Sequence, residues 1–133
     1  MLIVVPARGG SKGLPRKNAR MLGDIPLLGW TAEAVKQSGL SGATCILSTD
    51  DEEIASIGRK IGFEVPFIRP AELAQDETVI EDVIFHALDW LKAERRFDPE
   101  FVMLLQPTSP FRHPELLLQA VKMLENSSID GVI

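Results

Sequence analysis

The sequence, 133 residues long, predicts an α/β fold: a three-layer, Rossmann-like, mostly parallel sheet in one domain spanning residues 1–133. Three observations predict it. Short apolar runs alternate along the chain with segments of helical periodicity, the pattern of strands joined by helical crossovers. The runs are apolar throughout rather than every second residue, as in strands covered on both faces. The loops after the first and third runs, residues 7–18 and 106–114, are rich in Gly, Pro and polar residues, and in such sheets ligands sit beyond the carboxyl ends of the strands.

Taken in order, residues 2–5 read as a buried strand ending at Pro6. Residues 25–38 carry Leu28, Ala32 and Val35 at helical spacing, with Gly39 where a C-terminal cap belongs. Residues 43–47 are a second buried strand. Asp50 is placed to cap a helix through Ile54, Ile57 and Ile61, ended by Gly62. Residues 63–68 are extended and interrupted by Pro66. A long helix covers residues 78–94, with Val79, Val83, Leu88 and Leu91 on its apolar side. Residues 101–105 form the third strand, and residues 115–125 a helix carrying Leu118, Val121 and Leu124. Gly131, Val132 and Ile133 look like the opening of a fourth strand.

Composition narrows the function classes. A single cysteine, Cys45, excludes a disulfide framework and a multi-cysteine zinc site, and inside an apolar strand it reads as a small core residue. No apolar run approaches the roughly 18–20 residues of a membrane span. The first residues, MLIVVPARGG, lack the basic n-region of a secretory signal. A soluble protein of a reducing, cytoplasmic compartment is expected. The net charge is −5, but Arg8, Lys12, Arg16, Lys17 and Arg20 all lie in the first 20 residues, which hold no acid. A nucleic-acid binder shows a broad basic face. One short basic loop in an acidic chain suits a small polyanion better, the alternative being a solvated loop.

That loop reads PARGGSKGLPRKN, from Pro6 to Asn18. Its glycines let backbone approach a ligand, and successive amides in such turns make anion-binding nests. It is not a Walker A loop, because Gly13 is followed by Leu14 and Pro15. It is not a dinucleotide fingerprint either, because Gly9 is followed by Gly10 and Ser11.

These residues resemble the nucleotide-binding signature of the acylneuraminate cytidylyltransferases. Three further segments resemble the same family in the same order: STDDEEIA from Ser48, RPAEL from Arg69 and LLQPTSPFR from Leu104. The resemblance covers essentially the whole chain. It implies a nucleotide-diphospho-sugar transferase type of fold. It also implies an enzyme that joins CTP to a nine-carbon α-keto sugar acid, releasing pyrophosphate with the help of Mg2+. By motif position, Arg8, Ser11 and Lys17 would contact the phosphates, with Arg8 and Lys17 as the electrostatic catalysts. The amides of Gly9 and Gly10 would line the triphosphate, and Asn18 would reach the ribose or a nearby phosphate. Arg69 would read the cytosine edge, with a surface ion pair to Glu64 or Glu72 as the alternative. Gln106 and Thr108 would face the sugar acid. Lys12 and Arg16 fit either phosphate contact or a solvated flank. Asp50 and Asp51 suggest metal ligands but fit better as a helix-capping pair, and His86 reads as a core or surface histidine.

The sequence departs from the family pattern in three places. Hydroxyl residues common after RPAEL are replaced in the run Asp76, Glu77, Thr78, Val79 and Ile80, which leaves the acceptor sugar open. Ketodeoxyoctonate cytidylyltransferases carry Gln-Gly-Asp, whose Asp binds metal, where this chain has Gln106, Pro107 and Thr108. That favours the acylneuraminate branch. Family members also run well past 200 residues, so the chain reads as a truncated, N-terminal nucleotide-binding portion whose usual metal ligands are missing. A homodimer is expected of the full-length family, with no nucleic-acid or membrane partner. Two alternatives stay open: a non-catalytic nucleotide-binding fragment, and another sugar-nucleotide pyrophosphorylase of similar fold.

Overall fold

In the computed structural model, residues 1–10, 13–126 and 129–132 are described. Strand β1 (Leu2–Pro6) runs through the centre of a three-stranded sheet. It lies between β4 (Thr44–Ser48) and β5 (Val102–Leu104), and both pairings are parallel. The register sets Leu2 opposite both Thr44 and Val102, and carries Pro6 to Ser48. Among the described residues, four α-helices accompany the sheet: α1 (Leu27–Gln37), α2 (Glu52–Lys60), α3 (Ile80–Arg95) and α4 (Pro114–Asn126).

The continuous apolarity of β1 follows from its two buried faces. Ile3 and Val5 join a core with Leu28 of α1, Ile54 of α2 and Leu117 of α4. Leu2 and Val4 point the other way, into a second core with Ala87 and Leu91 of α3. Residues 2–5 are all fully buried, and each such side chain contributes about 1.5–3 kcal/mol relative to exposure. The three layers expected from the sequence are therefore present. Ile46 and Leu47 of β4 alternate between the same two cores, as the period of a strand requires.

Beyond β4, residues 63–69 run alongside its outer edge. Glu64 N–H donates to Cys45 O at 3.0 Å, Leu47 N–H to Glu64 O at 2.9 Å, and Arg69 N–H to Thr49 O at 2.7 Å. The pairing is a single bridge between Ile46 and Glu64 rather than a full strand, because Pro66 cannot donate to a ladder.

Four expectations change. A hairpin of β2 (Met21–Leu22) and β3 (Ile25–Pro26) precedes α1. Its turn passes through Gly23 at φ 68°, and Trp30 Nε1–H fastens it by donating to Leu22 O at 2.9 Å. The helix expected from residue 25 starts at Leu27, because a residue before proline is pushed into extended backbone. The cap of α2 is Asp51, whose Oδ1 accepts from Glu53 N–H at 2.9 Å and Ile54 N–H at 3.0 Å; Asp50 does not cap it. Gly131 and Val132 form no strand, and Ile133 lies outside the described residues. No helix among the described residues is long and apolar enough to cross a membrane.

Candidate nucleotide site

At the carboxyl end of the sheet lies a cavity of about 500 Å³. Its wall is drawn from four parts of the chain: the loop after β1, the residues leading from Arg69 into α3, the first turn of α3, and the loop after β5. Because β4 and β5 lie on opposite sides of β1, the loops leaving the strands diverge there and open a crevice. Arg8, Lys17, Asn18, Arg69, Gln106 and Thr108 all line it. The structure thus brings together residues that the sequence separates by up to 100 positions.

Arg69 is the most constrained of these. Its side chain is only 3% exposed, and its Nη2 lies 3.8 Å from Asp50 Oδ1. Its Nε is buried and has no hydrogen-bond partner among the described residues. Burial lowers the guanidinium pKa; Asp50 opposes this and Arg8 adds to it. An arginine remains charged under such pressure, so this is a desolvated cation with a donor to spare. Glu64 pairs instead with Arg95, at 2.6 Å, so the surface pairing of Arg69 with Glu64 is not formed.

Asp50 ties the site together, a role that sequence reasoning missed. Its Oδ1 accepts the Gly9 N–H at 3.0 Å while facing Arg69. The only sequence signal for this is its place just beyond β4, at the functional edge. The Gly9 amide is thereby turned to protein, and neither Gly9 nor Gly10 lines the cavity. Gly9 serves close approach instead: a Cβ there would stand 2.7 Å from Asp51 Oδ2. Asn18 is buried, and its Nδ2 donates to Arg8 O at 3.4 Å, holding the loop from inside. Lys17 lies in the short 3-10 turn Lys17–Ala19.

Arg16 belongs to the flank. It takes a left-handed φ of 51° and pairs with Asp51 at 3.2 Å and with Glu53. Ser11 and Lys12 lie outside the described residues. Arg8 Nη1 is 2.7 Å from Asp76 Oδ1, and Asp76 also lines the cavity. Thr78 Oγ1 accepts from Gln75 N–H at 3.1 Å and lies 3.3 Å from Glu72 O, to which it donates. Ile80 and Val83 supply an apolar wall. After β5, Gln106 O accepts from Arg112 Nη2 at 3.0 Å, which shapes the loop that carries Gln106 and Thr108.

The described residues do not fit a resident magnesium site. No three His, Cys, Asp or Glu side chains among them converge on a metal position. The cavity-edge carboxylates Asp50 and Asp76 are engaged by Gly9 and Arg69 and by Arg8 respectively.

The family model described as cytidylyltransferase matches residues 2–132. The chain belongs to the cytidylyltransferase family. Among its relatives, the CMP-N,N'-diacetyllegionaminic acid synthase of Legionella pneumophila is 42% identical, over 92% of this chain and 52% of that protein. The N-acylneuraminate cytidylyltransferase of Escherichia coli is also 42% identical, over 94% of this chain and 28% of that protein. The pseudaminic acid cytidylyltransferase of Campylobacter jejuni is 34% identical, over 96% of this chain and 54% of that protein. The chain therefore spans about half or less of the length of these relatives.

Among solved structures, a cytidylyltransferase from Leptospira borgpetersenii superposes with a TM-score of 0.71 at 27% identity, covering 95% of this chain and 49% of that one. The synthetase of CMP-2-keto-3-deoxy-manno-octonic acid, solved with CTP, gives a TM-score of 0.76 at 20% identity, covering 95% and 47%. That second likeness is one of fold. The resemblance read from the four sequence motifs is borne out by these relatives, and so is the α/β class.

Proposed function

We propose that this cytidylyltransferase chain carries the CTP site of an enzyme that activates a nine-carbon α-keto sugar acid, giving the CMP-sugar and pyrophosphate. The observation that carries the reading is the convergence of Arg8, Lys17, Asn18 and Arg69 with Gln106 and Thr108 in one cavity. Cations from the first loop, a desolvated guanidinium and polar residues after β5 share this one lining. The relatives' names supply the acceptor class: legionaminic, N-acylneuraminic and pseudaminic acids.

In this reading Arg8 and Lys17 hold the triphosphate and stabilise the charge that grows on the α-phosphate and on departing pyrophosphate as the sugar hydroxyl attacks. Positioning matters as much as charge, since in-line attack needs the two substrates held within a few ångströms. Asn18 keeps the loop at the right height by its bond to Arg8 O. Arg69, which lines the cavity, presents its guanidinium, a fixed-geometry donor set, to the carbonyl or ring nitrogen of cytosine. Gln106 and Thr108 meet the sugar acid. Magnesium enters as the companion of the nucleotide phosphates, as part of the substrate. A homodimer and a cytoplasmic location complete the reading, supported by the family resemblance and, for the compartment, by the single unpaired cysteine.

The test is a pyrophosphate-release assay with CTP, magnesium and a panel of nine-carbon keto acids, run on this chain and on any longer natural form. Release with at least one acid is expected, with Lys17→Ala slowed about a hundredfold. No release from the longest form with any acid would sink the proposal.

A further inference from the structure

Behind the cavity wall, α3 lays two rings one helical turn apart on the extended segment that leads to Arg69. The His86 and Phe67 rings meet edge to face, with centroids 4.5 Å apart and planes at 88°. Trp90 lies 5.8 Å from Phe67 at 56°. A turn further along, the Arg95 guanidinium carbon lies 5.2 Å from the centre of the Trp90 ring, and Arg95 pairs with Glu64 at 2.6 Å. Side chains of α3 thus meet Glu64 and Phe67, and Arg69 follows two residues later. Neither His86 nor Phe67 lines the cavity.

The charge state of His86 is set by its surroundings. Its Nδ1 is buried with no hydrogen-bond partner. An imidazolium needs acceptors for both ring N–H groups, so protonation would bury an unpaired donor, which is unfavourable. Burial lowers the His86 pKa from 6.5, and the positive charge of Arg69 lowers it further, against the opposing pull of Asp89 on α3 and of Glu72. Arg8 is the other cation felt by Arg69. At neutral pH the ring is uncharged.

We propose that His86 is a positioning residue for the base end of the cavity: its neutral ring wedges Phe67 so that Arg69 keeps its pose, and a proton on that ring, left without an acceptor, unseats the wedge and loosens the hold on the base. The ligand in this inference rests on the cytidylyl reading above. The sign follows from the packing: a proton at the buried Nδ1 would have no acceptor, so the charged ring shifts off Phe67 to reach one. Binding at the base end is full where His86 is neutral, and it declines as acidification below pH 6.5 charges the ring. Inorganic triphosphate, which has no base to read, is spared this effect.

Calorimetry with CTP and, separately, with inorganic triphosphate tests the inference on the parent chain, His86→Ala and His86→Phe, between about pH 7.5 and pH 5.5. At the upper pH, His86→Ala weakens CTP about tenfold while triphosphate binding changes less than about twofold. His86→Phe, which keeps a ring against Phe67, recovers most of that loss. On acidification the parent loses CTP affinity relative to triphosphate, and His86→Phe does not. Parallel weakening of both ligands in His86→Ala, or an acid loss that persists in His86→Phe, overturns the inference.

A second readout needs no nucleotide. The Arg69 Nε–H resonance shifts at the His86 titration midpoint in the parent and loses that step in His86→Phe. A signal indifferent to His86 overturns the inference even where CTP binds well. A parent chain that binds CTP no better than triphosphate overturns the cytidylyl reading and this inference with it. That failure is distinct, because it appears in the parent before any variant is compared.

Discussion

Arg8 Nη1 stands 2.7 Å from Asp76 Oδ1, and both side chains are about one-third exposed. The cation best placed to meet a triphosphate is therefore held by an acid from the cavity's own wall. A pair this exposed adds at most about 1 kcal/mol to stability, so an incoming polyanion can displace it. Asp76→Asn is expected to tighten triphosphate and CTP binding about two- to fivefold at low salt, with the gain shrinking as salt screens the site. Titration calorimetry at two ionic strengths checks this. Weaker binding in Asp76→Asn would assign the carboxylate to the ligand rather than to Arg8.

Gly9→Ala tests the close approach of the first loop to α2. The new Cβ would lie 2.7 Å from Asp51 Oδ2 and 2.8 Å from Asp51 Cβ. Either the loop or the cap must move, at a cost of about 1–3 kcal/mol. Moving the loop also strains the Gly9 to Asp50 hydrogen bond. Urea denaturation should show the destabilisation, and CTP affinity should fall with it. Unchanged stability would mean that the loop is not pinned there.

The cap itself is testable. Asp51→Ala removes the acceptor for two amides at the start of α2 and one partner of Arg16. A loss of about 0.5–2 kcal/mol is expected. Asp50→Ala leaves those two amides satisfied but leaves buried Arg69 without its facing carboxylate, so its larger effect should be on nucleotide binding. The contrast between the two neighbours, read by denaturation and calorimetry together, is the check. Equal effects on both measurements would contradict the separate roles.

Cys45 should be inert in the folded chain. Burial first, and then the nearby Glu64 carboxylate, pushes its thiol up to about 12. The thiolate is the reactive form, so at neutral pH a disulfide reagent should label Cys45 slowly until denaturant exposes it. Rapid stoichiometric labelling without denaturant would show that β4 opens far more readily than its packing implies.

Much of the fold is legible in the sequence because its signals are local. The apolar run at Leu2–Pro6 declares a strand buried on both faces. Val83 and Leu91 were legible as the buried side of α3, whereas Val79, expected beside them, is exposed and Ala87 takes a buried place that the sequence reading did not name. The hairpin before α1 is not legible by periodicity, since each of its strands is two residues long. The candidate site was partly legible: its cations and glycines mark the first loop, and Arg69 stands in a recognisable segment. Asp76 carries no comparable mark, because its partner Arg8 is distant in sequence. The same holds for Asp50, whose bond to Gly9 spans 41 positions.

By itself, then, the sequence determined the order of the three sheet strands and four long helices, the two-faced burial of β1, the basic loop and the resemblance to the family. Each depends on residues close in sequence, or on motifs read one at a time. Only the tertiary structure decided that β1 lies between β4 and β5, that Asp51 rather than Asp50 caps α2, that Asp50 joins Gly9 to Arg69, and that His86 of α3 packs on Phe67, two residues before Arg69. These are relations between segments whose separation is set by sheet order and register. Local propensity carries no record of which loop will face which until the parallel strands are aligned and the helices close over them.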